Sequence, residues 1–204
     1  MLKIDTHAHY LPRDWPDLAA KYGDIRFPVI HHGDDGRSRI YKDGKFFREI
    51  WPKTWDPKIR IDEFAEFGVQ VQVLSTVPVM FSYWAKPQHA HDLHQALNDH
   101  MAEAVRDFPR HYAGIGTVPL QSPRLAIQEL ERCIDQLGLQ GVQIGSHIND
   151  WNLDAAELFD FFQAASELGA AILVHPWDMM GSESMPKYWL PWLVGMPAET
   201  ALSI

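Results

Sequence analysis

Apolar residues along this chain alternate between two rhythms. Short continuous runs, Val69 to Thr76, Tyr112 to Val118, Gly141 to Ser146 and Ala170 to His175, have the length and β-branched content of buried strands. An opening run ending IDTHAH adds a strand at the N-terminus. Between the runs the period changes to helical. Leu93, Leu97, Met101, Val105 and Phe108 fall on one face, as do Ile127, Leu130, Ile134 and Leu137, and then Leu158, Phe161, Phe162, Ala165 and Leu168. The second stripe starts at Ser122-Pro123, where Ser122 is expected to cap, and stops at Gly138; the third stops at Gly169. A further short helix is expected near Ile61 to Phe67, and another turn near Pro197.

Strands alternating with helices through short connections predict a parallel sheet with right-handed crossovers. A (β/α)8 barrel, a doubly wound open sheet and a solenoid compete. No Gly-rich phosphate loop follows any strand, and polar residues cluster at strand C-terminal ends: His7 and His9, Ser75 and Thr76, His147, His175. Barrel enzymes place their chemistry there, so the expected class is α/β, a TIM-like (β/α)8 barrel. Only five strands are found against the eight such a fold requires, and the sequence ends in PAETALSI at a helical start. The expectation is that residues 1–204 form the N-terminal part of one barrel domain, truncated after its fifth strand.

Residues 13–57 do not fit the rhythm. They contain RSRIYKDGKFFREI, where Asp43-Gly44 between alternating runs signals a β-hairpin. The segment is too long for an ordinary βα loop and is expected to be a lid over the barrel mouth.

Residues two apart on a strand share a side, so His7 and His9 aim two imidazoles at one point. His175 ends the last strand and is followed by Pro176, which cannot extend the ladder. Three imidazoles plus an open position suit a catalytic divalent cation; packing at strand ends is the structural alternative. Asp5 shares the parity of His7 and is a second-shell or a buried structural group. His147 is read as structural, or as a substrate contact.

The formal net charge of −9 disfavours nucleic-acid partners. It also means that an anionic substrate needs local cations. The hairpin offers Lys42, Lys45 and Arg48 beside Phe46 and Phe47. Arg48 can hold a carboxylate bidentately while a ring stacks on a conjugated substrate. Regular alternation pairs Phe46 with Arg48 and sends Lys42 to the other face. Trp177, Trp189 and Trp192 concentrate aromatic surface beyond the last strand. The remaining histidines, His91 and His94 among them, show no convergence and are read as solvated. Cys133 is the single cysteine, so no intrachain disulfide forms, and no apolar run reaches membrane-spanning length. The chain reads as cytoplasmic, with no membrane partner.

The stretches KIDTHAHYLPRDWPDL, KDGKFFR, WDPKIRI, VQVLSTVPVMFSYWAKP, GVQIGSHIND, VHPWDMM and KYWLPWLVGMPAET together resemble the aminocarboxymuconate semialdehyde decarboxylases of the amidohydrolase superfamily. The resemblance implies a usually dimeric barrel with one catalytic zinc, held here by His7, His9 and His175. It matches Lys42 and Arg48 to residues holding substrate carboxylates and Trp192 to a pocket aromatic, with Trp177 beside it. It also implies a base His after the sixth strand and a metal-binding Asp after the eighth, positions beyond residue 204. The implied reaction is non-oxidative loss of carbon dioxide from 2-amino-3-carboxymuconate 6-semialdehyde, giving 2-aminomuconate 6-semialdehyde, in tryptophan (kynurenine) or nitrobenzoate catabolism. A metal hydrolase or aromatic-acid decarboxylase of the same superfamily is one alternative; an inactive partial subunit is another.

Overall fold

The computed structural model describes residues 1–203. In chain order the strands are β1 (Ile4–His9), β2 (Val29–His32), β3 (Ser38–Lys42), β4 (Lys45–Ile50), β5 (Val71–Ser75), β6 (Tyr112–Gly114), β7 (Gly116–Thr117), β8 (Gly141–Gly145), β9 (His147–Ile148), β10 (Trp151–Asn152) and β11 (Ala171–His175). The helices are α1 (Leu18–Tyr22), α2 (Pro57–Ala65), α3 (Pro87–Asp107), α4 (Pro123–Glu131), α5 (Phe159–Glu167) and α6 (Met196–Leu202). Helix α2 starts earlier than its apolar pattern suggests, because Pro57 occupies its first turn and the Asp56 carboxylate accepts from Lys58 N and Ile59 N. Ser122 precedes α4 as expected but makes no side-chain capping bond.

The parallel strands run in the order β1-β5-β6 and β7-β8-β11. The run read as one strand from Tyr112 to Val118 is divided at Ile115. There the Asn98 side chain from α3 stands in for a neighbouring strand: its Oδ1 accepts from Thr117 N at 2.8 Å and its Nδ2 donates to Thr117 O at 2.9 Å. Asn98 Nδ2 also donates to the buried Glu129 carboxylate, which accepts from Arg132 and lies 3.1 Å from His91 Nε2. Polar groups at this depth need such partners, since an unmet one costs about 1–3 kcal/mol.

Among the described residues two apolar cores follow. One lies around the sheet and its covering helices, from Leu74 and Val118 to Ile144 and Phe161. The other joins the inserted segment to α3 and the loop after β5, through Trp15, Leu18, Phe27, Ile40, Met80 and Leu93. The single stripe on α3 therefore serves both: Leu93 and Leu97 face the insertion, Met101 the sheet. Complete burial of Ile40 and Phe27 contributes about 1.5–3 kcal/mol each, enough to fix the insertion as a packed unit.

The insertion is an antiparallel sheet in the order β2-β3-β4, with α1 packed on α3. Asp43 (φ 54°) and Gly44 (φ 67°) both adopt the left-handed region, which a type I′ two-residue turn requires.

The histidines of α3 correct a sequence expectation. His94 is completely buried and His91 nearly so, because their face of the helix meets the second core and α4 rather than water. His94 Nε2 donates to the carbonyls of Met80 (3.2 Å) and Phe81 (3.0 Å). Burial pushes its pKa down to about 4. The fold thus favours the neutral ring, while the unfolded chain takes up a proton near pH 6.5. Stability from this residue is full above pH 6.5 and is lost as the pH falls toward 4, by about 3 kcal/mol. Urea titrations with chelator present should show a flatter pH dependence between 4 and 6.5 in His94→Gln than in the parent. Equal slopes would rule out the assignment.

Candidate metal centre

A flat sheet of five parallel strands, spaced by about 4.8 Å, would hold its outer members about 19 Å apart. Yet His7 on β1 and His175 on β11 bring their Nε2 atoms to 3.1 Å. The sheet is therefore strongly curled, and its two outer strands face each other across the mouth. His9 completes the group: the three ring centroids are 4.9, 5.0 and 5.2 Å apart, and one ligand nitrogen from each lies within 4.8 Å of the others.

The placement of His9 depends on a bulge. Asp5 and Ala8 pair with Gln72 and Leu74, so three steps on β1 match two on β5. Alternation is thereby reversed, and Asp5 and Ala8 share one face while His9 turns to the other. Tyr112, the partner of Gln72 on β6, donates from its hydroxyl to Pro57 O of α2, so the Asp5 face is the helix-covered one. Asp5 thus lies on the opposite side of the sheet from His9, contrary to the unbroken parity assumed for this strand.

Two tautomers are fixed by carbonyls. His9 Nδ1 donates to Thr76 O at 2.9 Å and His175 Nδ1 to Pro176 O at 2.7 Å, which leaves each Nε2 with a lone pair. Burial, reinforced by the neighbouring imidazoles, pushes His9 down to about 4 and lowers His175 as well. Both are neutral donors at physiological pH. A 3.1 Å nitrogen separation suits two ligands of one cation at about 2.0–2.1 Å. The donor set fits a divalent metal.

The cluster forms one wall of a cavity of about 490 Å³, within the usual range for small-molecule sites. Lys42, Phe47 and Arg48 of the hairpin line it, together with Val77, Trp177, Asp178 and Trp192. Phe46 does not: it is 58 % exposed on the far side of the hairpin. The reason is a second bulge. Ile40 pairs with Arg48 but Tyr41 with Phe46, so Phe47 is an extra residue on β4. Phe47 shares the face of Lys42 by alternation, and the bulge turns Arg48 to join them, its guanidinium 5.6 Å from the Phe47 ring. Lys42, expected on the opposite side from Arg48, lines the same cavity for the same reason.

Trp177 is buried, donating from Nε1 to His147 O at 2.8 Å. It leans on Gly145, where any Cβ would stand 2.5 Å from the indole nitrogen, so only glycine fits behind it. Trp192 is half exposed at the rim, 5.3 Å from the Trp189 ring. His147 borders a separate cavity with the buried carboxylate of Glu199, which accepts from Ser146 Oγ at 3.1 Å. The sequence pattern did not single out Glu199; Asp178, read from the sequence as a loop-capping residue that could also contribute to the site, lines the cavity. Asp178 sits at φ 45° in the turn after β11, and a strained residue at a strand end is a signal visible only in three dimensions.

A family model described as Amidohydrolase matches residues 4–202. The chain belongs to the amidohydrolase family. Within the family it is 54 % identical over 203 residues to 2-amino-3-carboxymuconate-6-semialdehyde decarboxylase of Dictyostelium discoideum, covering 100 % of this chain and 56 % of that protein. It is 34 % identical to the Caenorhabditis elegans protein of the same name, covering 99 % and 63 %. This amidohydrolase-family chain thus spans about three fifths of the length of these curated relatives. Among solved structures, 5-carboxyvanillate decarboxylase from Sphingomonas paucimobilis superposes with a TM-score of 0.76 at 23 % identity, covering 99 % of this chain and 61 % of that one. A dihydroxybenzoic acid decarboxylase from Polaromonas sp. JS666, with bound manganese and 2-nitroresorcinol, gives 0.72 at 22 % identity, covering 99 % and 58 %. At these identities the likeness is one of fold. Among the described residues no helix is long and apolar enough to cross a membrane.

If the imidazoles share a cation, zinc at 100 times its Kd should stabilise the protein by about 2.7 kcal/mol. That corresponds to a rise of about 5–10 °C in Tm for a chain of this size. Scanning calorimetry with and without zinc should show the rise in the parent and little of it in His175→Ala. An equal rise in both would place the ion elsewhere.

Proposed function

We propose that this chain forms the N-terminal part of a metal-dependent (β/α)8 barrel that decarboxylates 2-amino-3-carboxymuconate 6-semialdehyde. The observation that carries the reading is the convergence of His7, His9 and His175 on one wall of a cavity that also holds Lys42 and Arg48. The name of the Dictyostelium relative supplies the substrate. The reading includes residues 13–57 as a lid, zinc as the ion and a homodimer as the assembly, these last two on the resemblance alone.

A bound zinc would supply Lewis-acid polarisation and a water of lowered pKa. The groups that this chain contributes bind and orient the substrate. In a protein of net charge −9, Lys42 and Arg48 provide the positive field that a doubly anionic substrate needs on entry. Arg48 grips a carboxylate through two parallel N–H bonds and so fixes which carbon faces the imidazoles. Phe47 and Trp192 offer π faces to the conjugated chain, and the buried Trp177 keeps water from its floor. The electron pair released with carbon dioxide passes into the conjugated semialdehyde, and a proton is returned to carbon.

A second reading, decarboxylation of a hydroxylated benzoic acid, is favoured by the fold likeness to 5-carboxyvanillate and dihydroxybenzoic acid decarboxylases. The cations separate the two. A dihydroxybenzoic acid carries one carboxylate and needs one anchor, whereas the semialdehyde carries two; 5-carboxyvanillate also carries two, so the comparison is made with monoacids. Arg48→Ala should lower kcat/KM for the semialdehyde by about 10- to 100-fold, as loss of a charge-assisted hydrogen bond predicts. The absorbance of the conjugated substrate follows the reaction, with salicylate-type acids assayed in parallel. Faster turnover of the benzoic acids, insensitive to Arg48, would replace the first reading with the second.

A further inference from the structure

The bulge in β1 decides whether the His-x-His pair faces the mouth or the helices, and it has a bond of its own. Between Asp5 and Ala8 the strand carries one residue more than β5. An interrupted ladder leaves backbone groups to be met by something else. Here the Asp5 carboxylate does so, Oδ1 accepting from His7 N at 3.1 Å. Its other oxygen, Oδ2, accepts from Gln72 Nε2 at 2.9 Å. Gln72 is buried, and its Oε1 in turn accepts from Arg60 Nε at 2.8 Å. Arg60, 6 % exposed on α2, spends another N–H on Lys53 O at 2.9 Å. An unbroken chain of bonds thus runs from the turn that closes the inserted segment, beneath the sheet, to the backbone of a candidate ligand.

We propose that Asp5, braced by Gln72 and Arg60, is a positioning latch that holds β1 in its bulged register and so aims His7 and His9 at the metal. The inference rests on the metal-centre reading and adds residues that touch neither ion nor substrate. Three features set this chain apart from ordinary polar filling. It ends on the amide of the residue whose direction matters. It lies on the face opposite the imidazoles, so it acts through the backbone. And the alternative is discrete: with the bulge removed, β1 and β5 pair in regular register and His9 rotates to the face of α2.

Direct metal binding tests the latch, with Co2+ absorption and zinc competition as readouts. Asp5→Ala should raise the Kd about 10- to 100-fold, the usual effect of removing a group that orients a ligand. Gln72→Leu, which leaves the bond to His7 but removes the brace, should fall between Asp5→Ala and the parent. Asp5→Asn, which keeps an acceptor for His7 N, should bind more tightly than Asp5→Ala. Tyr112→Phe is the control: it removes the bond to Pro57 on the same face without contacting Asp5, so it should lower Tm and leave the Kd unchanged. A folded Asp5→Ala protein with the parent's Kd would overturn the proposal. Should Asp5→Ala not fold, the comparison of Gln72→Leu with Tyr112→Phe decides, and an unchanged Kd in both overturns it. Amide exchange at His7 in the metal-free protein separates the two ideas. Failure of the parent to bind metal sinks the metal-centre reading, while a slowly exchanging His7 amide, quickened in Gln72→Leu, still supports the latch and a freely exchanging one refutes it.

Discussion

Curvature is the constraint from which the site follows. The residues that converge, at positions 7, 9 and 175, sit on the outer strands of two three-stranded parallel sheets joined in sequence through the divided run at β6 and β7, and only a curled arrangement lets imidazoles of ordinary reach meet. The curl is sustained on its outer side by covering helices, Phe161 of α5 among their residues, packed in one core with Leu74, Val118 and Ile144. Asn98 contributes at the weak point, where the third parallel strand is interrupted and Thr117 would otherwise lack a partner. Packing on one side of the sheet thus sets the distance between nitrogens on the other.

The insertion solves a different problem. The proposed anionic substrate is repelled by the chain as a whole, and the lowered pKa values of His9 and His175 keep those rings from offering it a charge. Cations must be brought from outside the sheet and held still. The hairpin carries them, and a second apolar core fastens it to α3 at Leu93 and Leu97. One long helix therefore references both the strand layer and the cation-bearing loop, which keeps Arg48 and the histidines in a constant relation.

Much of this was legible in the sequence, because it depends on period and composition. The alternation of strands and helices, the hairpin at Asp43-Gly44 and the positions of histidine at strand ends are all properties of short windows. What failed were inferences that extrapolated a period through an irregularity. Phe46 was paired with Arg48, and Asp5 with His7, by counting in twos; each count crosses a bulge, and a bulge leaves no mark in the hydrophobic pattern. His94 failed for another reason. A histidine at a helical position looks the same whether that face meets water or a second core, and the second core exists only once the insertion folds back.

The two bulges have one logic. A regular strand presents alternate residues to alternate faces, which restricts how many chemical groups from one short segment can address a single point. By inserting one residue, β4 sets adjacent side chains, Phe47 and Arg48, on the same cavity. By the same device β1 sends Asp5 to the helix layer and His9 to the mouth, although both stand at odd positions. Such irregularities sacrifice ladder hydrogen bonds, and they persist where side chains replace what was lost. In β1 the replacement is visible as the Asp5 carboxylate on the His7 amide. The strand that carries two candidate ligands is therefore shaped by residues on its far side, and substitutions there should be read as changes to the site even though none of them reaches it.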